Sequence, residues 1–186
     1  MKRLIAGITI VELLIVLSVT GILVATAVPS INSMMTRSKT TASVNRLVGA
    51  INLTRQSAVQ YQTLTTLCGV KTNGKCGAGW AEVLTVFLDR NKNAWLEEED
   101  VIIKQVQPLK TDTTVRWRAF QNKQYLQMTP FGYTNYQNGN FVICPSGGNQ
   151  KDARQVIINI QGRIRHNHKL NASGYPVDRK GRKLRC

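Results

Sequence analysis

With 186 residues, 42% of them hydrophobic, the chain is too apolar for a disordered segment and has room for one modest core outside a membrane. Its 25 Lys and Arg against 10 Asp and Glu give a net charge of +15, which disfavours cationic ligands. Suitable partners are polyanions: nucleic acid, acidic lipid headgroups or anionic polysaccharide.

The N-terminus carries the first specific signal. Lys2 and Arg3 precede an apolar stretch that runs to Pro29 with a single charge, Glu12. A helix over 8–28 is about 30 Å long and crosses a bilayer core. The two basic residues keep the N-terminus cytoplasmic and send the remainder outward. A lone acid at that depth costs several kcal/mol unless it is paired, so Glu12 needs a partner. The plainer reading is a plain signal anchor or a secretory signal, and for the latter Ala25-Thr26-Ala27 supplies a small-x-small cleavage site.

Gly7, Ile8, Glu12, the Leu13-Leu14-Ile15-Val16 run and Pro29 together resemble the N-terminus of type IV pilins and pseudopilins. The resemblance implies that a prepilin peptidase cuts between Gly7 and Ile8 and that the new amine on Ile8 is methylated. It also gives Glu12 a partner, the N-terminal ammonium of a neighbouring subunit in a filament. Ile8 departs from the usual phenylalanine. Loss of the leader removes two cations and leaves 23 basic residues against 10 acidic, a net of +13.

Beyond the membrane segment, Val44, Leu47, Val48, Ile51, Ala58 and Val59 recur at three- and four-residue steps and predict an amphipathic continuation of the helix. Pro29 is expected to kink this helix without ending it. Arg37, Lys39, Arg46 and Arg55 fall off the stripe and are expected to face solvent or headgroups. The helix is expected over about 8–62. Strands are predicted over 64–70, 81–88, 101–107, 113–120, 141–144 and 155–160, with turns at Asn73-Gly74, Asn91–Asn93, Asn138-Gly139 and Ser146-Gly147-Gly148. The fold class is α+β: a long N-terminal helix packed on an antiparallel β-sheet, a pilin-like roll. The segments are a leader (1–7), a membrane and assembly helix (8–29), its amphipathic continuation (30–62), a β-rich domain (63–168) and a basic tail (169–186). No internal repeat is visible.

Cys68, Cys76, Cys144 and Cys186 lie beyond the span, where disulfides persist. Three pairings are possible; proximity favours Cys68–Cys76, with Cys144–Cys186 tying down the last residue. The spacing is not that of a zinc ribbon. Asp89-Arg90-Asn91-Lys92-Asn93, with Asp100 at the twelfth position, has the rhythm of a calcium loop. Ala94 replaces the glycine of its sharp turn, and two cations oppose it, so a polar hairpin is the better reading. Glu97, Glu98 and Glu99 extend a solvated turn. His166 and His168 lack further ligands nearby. No phosphate loop, nucleophile elbow or metalloprotease helix is present, so neither catalysis nor a metal or cofactor is expected.

Residues 162–186 hold eight cations, Arg163, Arg165, Lys169, Arg179, Lys180, Arg182, Lys183 and Arg185, against one acid, Asp178, a net of +7. Alternation in Gly162-Arg163-Ile164-Arg165 predicts both guanidinium groups on one face of a strand or turn, suited to bidentate phosphate contact. Residues 169–185 have little apolar pattern and read as a mobile tail, which Cys186 can pin into a loop. Alternatively the tail serves only solubility or lies on anionic headgroups. Tyr175 is its only aromatic residue, which gives little support to base stacking.

The Gly-Arg-Ile-Arg motif, together with Trp80, Val86-Phe87-Leu88-Asp89 and Phe141-Val142-Ile143-Cys144, resembles the GspH/FimT family of minor pilins and pseudopilins. The FimT branch is implicated in DNA binding during natural transformation. That resemblance implies DNA contact at Arg163 and Arg165; charge extends it to the six later cations. Expected partners are double-stranded DNA, other pilins, prepilin peptidase and the inner membrane. Before assembly the chain is expected to be a single-pass inner-membrane protein with a periplasmic head, and afterwards part of a surface pilus. The rival readings are a structural pseudopilin of a type II secretion system, a pilus-assembly priming subunit, and an adhesin for anionic polysaccharide.

Overall fold

The computed structural model describes residues 7, 9–108, 113–145 and 150–186. The predicted leader, Ile8 of the cleavage bond and the Ser146-Gly147-Gly148 turn lie outside them, except for Gly7. The chain divides into two units, Met1–Arg37 and Ser38–Cys186.

One helix, α1 (Ile10–Gln60), begins in the first unit and ends in the second. Thr9 caps it: its Oγ1 accepts from the Glu12 amide at 3.2 Å. A hydroxyl residue with an acid three positions later is the capping-box pairing. The helix continues through position 29. Its N-terminal half contains an 18-residue window of mean hydropathy 2.4, with its apolar side chains exposed, as a membrane-embedded segment requires. The helix gives way to Gln62 in the left-handed region (φ 49°), a common way to end one.

In the second unit the stripe turns inward. Leu47, Ile51 and Ala58 are fully buried, as is Thr54, whose hydroxyl donates to the Ala50 carbonyl at 2.7 Å. Val48 is only partly buried and Val59 is exposed, so the buried face is narrower than the sequence stripe.

Among the described residues, two four-stranded antiparallel sheets stand where a single sheet is expected. The first has the order β3 (Val101–Val106), β2 (Leu84–Leu88), β1 (Thr65–Gly69), β5 (Leu126–Met128). The second has the order β4 (Thr113–Ala119), β6 (Gly139–Pro145), β7 (Arg154–Ile158), β8 (Ile164–Asn167). Both sheets and the helix stripe contribute to one core. Within it Trp80, Trp117 and Phe141 interlock, with ring centroids 4.1–5.6 Å apart.

The β2–β3 connection is indeed a polar hairpin loop, but its first acid faces inward. Asp89 is fully buried. Its carboxyl accepts from Thr66 Oγ1 and Gln127 Nε2, both at 2.7 Å, and from the Asn93 and Ala94 amides at 3.1 and 3.0 Å. Ala94 takes the bend at φ 59° without a glycine. Thus Asp89 joins β1, β5 and the loop.

The sequence carries no repeat, yet among the described residues one turn occurs five times. Residues 71–75, 129–133, 159–163, 171–175 and 178–182 each have the first amide donating to the fifth carbonyl, and the fourth amide to the first carbonyl. The fourth residue is always glycine at φ 70–81°. This is the three-residue hairpin loop with a glycine bulge. Its signature is a glycine in the fourth place, without a longer motif.

Asp89→Ala strands four donors, two of them backbone amides. It should lower unfolding stability by about 3–5 kcal/mol, measured by thermal unfolding of the full chain in detergent; a loss under about 1 kcal/mol would contradict this role.

Candidate functional site

The predicted arginines lie at the β7–β8 hairpin. Strand β8 begins at Ile164, so Arg165 stands in the ladder opposite Ile157, while Arg163 closes the turn before it. The Asn159 side chain shapes that turn, its Oδ1 accepting from the Arg163 amide at 2.8 Å. Both arginines are exposed and line a cleft of about 480 Å³, whose opposite wall is the helix residues Val48, Asn52 and Arg55.

Arg55 corrects the sequence reading that placed it toward solvent or headgroups: it is half-buried in this wall. A Cβ added at Gly162 would lie 3.5 Å from Arg55 Nε and 2.5 Å from the Gly132 carbonyl oxygen. Only glycine lets Arg55 and the two turns approach so closely. Three arginines and His166 line this cleft without an acid. His166 also lines an adjoining cavity of about 410 Å³ with His168, Arg154 and the helix residues Thr41, Val44 and Asn45. The two histidine rings are 6.2 Å apart. Among the described residues, no three His, Cys, Asp or Glu side chains group together as metal ligands would.

Residues 169–186 are folded, which corrects the expectation of a mobile tail. They form two consecutive copies of the recurrent turn. In the first, Asn171 Oδ1 accepts from the Ser173 and Tyr175 amides; in the second, Asp178 Oδ1 accepts from the Lys180 and Arg182 amides. Bridges join Leu170 to Pro176 and Val177 to Lys183. Short-range polar bonds supply the order that an apolar pattern did not announce.

The tail crosses the second sheet as a strap. Arg116, Val142, Gln155 and Asn167 form one cross-strand row over β4, β6, β7 and β8. Asn167 Nδ2 donates to the Val177 carbonyl at 2.7 Å; Leu184 packs with Val142 and Cys144; Arg116 donates to the Cys186 carbonyl at 3.4 Å. Disulfides join Cys144 to Cys186 and Cys68 to Cys76. The parallel row of Arg118, Asn140, Ile157 and Arg165 lies two residues away on the same face, about 7 Å along the strands. Arg118 and Arg116 thus join a cationic face that the sequence reading confined to the C-terminal segment.

The eight predicted cations are not equivalent. Arg163 and Arg165 line the cleft. Lys169, Arg179, Lys180 and Arg185 are exposed along the strap. Arg182 pairs with Asp178 at 2.8 Å, and Lys183 Nζ lies 4.1 Å from the Tyr175 ring centroid.

A family model described as "Type II transport protein GspH" matches residues 43–162. The chain belongs to the GspH family. Among solved structures, FimU, a type IV minor pilin of Pseudomonas aeruginosa, is 16% identical with a TM-score of 0.56, covering 70% of this chain and 89% of that one. EpsH, the minor pseudopilin of the Type 2 Secretion System of Vibrio cholerae, is 12% identical with a TM-score of 0.50, covering 69% and 95%. These likenesses show the fold. No curated protein sequence matches. The GspH match ends one residue before Arg163, so the Gly-Arg-Ile-Arg arginines and the strap lie outside it.

Hydrogen bonding by the Arg182 amide, followed by its guanidinium and the Lys180 amide, outweighs desolvation and holds the Asp178 carboxyl below the ordinary aspartate range. A depressed acid stabilises its fold above the unfolded pKa of about 3.9, and this contribution disappears as pH falls through the lower folded value. The Lys180 and Arg182 amide resonances should therefore titrate together with a midpoint below about 3.9; a midpoint at or above that value would contradict the assignment.

Proposed function

We propose that this GspH-family protein is a minor type IV pilin that binds DNA without sequence preference, serving DNA uptake in natural transformation. The observation that carries the reading is the convergence of Arg55, Arg163 and Arg165 on one cleft beside the cationic strap. Guanidinium groups bind phosphate bidentately, and their separation from any lining acid leaves that capacity unspent. Binding follows from counterion release along the duplex backbone, with affinity in the roughly micromolar range of non-specific complexes. Arg179, Lys180 and Arg185 extend the contact along the strap, and several copies in a filament would raise avidity.

In this reading the apolar half of α1 holds the chain in the inner membrane, with the head in the periplasm until assembly places it on a surface filament. Prepilin peptidase cleaves between Gly7 and Ile8. Glu12, on the first turn of the helix, then neutralises the N-terminal amine of a neighbouring pilin.

The second reading is a pseudopilin of a type II secretion system or an assembly-priming subunit without DNA binding. The family description and the likeness to EpsH favour it. Deletion of the chain distinguishes the two: loss of DNA uptake with filaments retained supports the first, and loss of protein secretion supports the second.

For the full chain in detergent, replacing Arg55, Arg163 and Arg165 by Gln should weaken all duplex sequences alike. Each lost phosphate contact should flatten the log–log salt slope by about 1. Unchanged anisotropy titrations with the fold intact would remove these residues from the interface. Separately, Glu12→Ala should leave membrane insertion intact but deplete the protein from purified filaments, since leaving a buried charge alone costs about 3–5 kcal/mol. Normal co-assembly would refute that pairing.

A further inference from the structure

Three aromatic side chains stand unusually open on one loop. Phe131 is 81% exposed, Tyr136 68% and Tyr133 52%. Three open rings within six residues of one loop concentrate exposed apolar surface, and such a concentration marks a candidate contact site. Tyr136 also has φ 64°, a left-handed backbone conformation uncommon for a bulky residue and typical of functional loops.

The position of this loop gives the rings their meaning. The 129–133 turn presses against the 159–163 turn: the Thr134 amide donates to the Ile160 carbonyl at 2.9 Å, and Gly132 meets Gly162. Arg55 lies against both, its Nε 3.0 Å from where a Gly132 Cβ would stand. Phe131 and Tyr133, on either side of Gly132, therefore belong to the turn that packs against Arg55 and the Gly162 turn, next to the residues that line the arginine cleft. Sequence proximity could not reveal this, since about thirty residues separate them from Arg163. The fold adds aromatic rings to a basic segment whose only one is Tyr175.

We infer that Phe131, Tyr133 and Tyr136 form a stacking platform for unpaired bases, so that the cleft accepts single-stranded DNA with Arg55, Arg163 and Arg165 on its phosphates. Cations that follow a backbone beside rings that take successive bases are the two components of sequence-tolerant single-strand recognition. A duplex keeps its bases stacked inside and uses only the cations. A protein partner docking on the rings would bring apolar surface against three arginines that the cleft leaves without an acid. This inference rests on the DNA-binding reading and adds a second substrate form to it.

The test measures anisotropy of labelled oligothymidine and of a mixed-sequence duplex with the full chain in detergent. Replacing Phe131, Tyr133 and Tyr136 together by Ala should weaken oligothymidine about tenfold or more and leave the duplex within about twofold. Tyr133→Phe with Tyr136→Phe should preserve single-strand affinity, because the ring face is retained. Unchanged oligothymidine binding by the triple Ala variant overturns the platform, as does an equal loss on both ligands. Unchanged affinities with a loss of crosslinking to other pilins would assign the rings to a subunit interface and also overturn it. If the unaltered chain bound neither polynucleotide, the DNA-binding reading itself would fail; duplex binding insensitive to the rings leaves that reading standing.

Discussion

The second unit is organised by the narrow face of α1 that both sheets bury. Leu47 and Ile51 have no exposed surface, and each such side chain contributes about 1.5–3 kcal/mol by leaving water. Ala50, Thr54, Ser57 and Ala58 keep the rest of that face small, so strand residues such as Phe141 and Ile158 share one core with the helix. The neighbouring helix face, Val48, Asn52 and Arg55, becomes the wall of the arginine cleft as a direct consequence. The spacing of four and three residues on that wall is the core spacing displaced by one position. Cleft and core are therefore coupled: a shift of the helix that disturbed Ile51 would also move Arg55 away from Gly162.

The strap solves a different problem. Fixing the backbone costs about 1–2 kcal/mol per residue, and residues 169–186 bury few apolar side chains to offset it. Two successive glycine turns, each with an Asx side chain accepting backbone amides, satisfy the polar groups locally. The Cys144–Cys186 bond closes a loop of 42 residues, worth about 4 kcal/mol in the chain-entropy account. A cation already held on such a strap loses less freedom on binding than one on a loose tail. In the proposed function, order in the tail thus bears on affinity as well as stability.

What could be read from the chain followed the range of the interaction responsible. The apolar span, the helix stripe and six of the strands depend on local periodicity, and their positions were legible within a few residues. Strand β5 was not: it has three residues, and its central Gln127 is buried because Asp89, Asn135 and Gln137 satisfy its polar groups from elsewhere. Arg55 escaped for a similar reason. Its helix position is legible, but its approach to Gly162 depends on the packing of two remote turns. The order in the tail has a fainter trace in the sequence, Asn171 before Gly174 and Asp178 before Gly181, too short to form a distinctive motif.

The family match covers the scaffold from the helix stripe through β7 and stops at Gly162, while β8 and the strap carry most of the proposed cationic interface. This boundary has a physical sense. Buried positions such as Leu47, Phe141 and Asp89 are constrained by packing and polar satisfaction, where a wrong side chain costs several kcal/mol. Exposed arginines and lysines contribute little to folding and can change with small effect on stability. A scaffold of this kind can hold one architecture while the charge at its edge changes to suit different partners. Arg55 and Gly162 are the points where the two meet: both lie within the matched stretch, yet they shape the cleft that Arg163 and Arg165 complete from outside it.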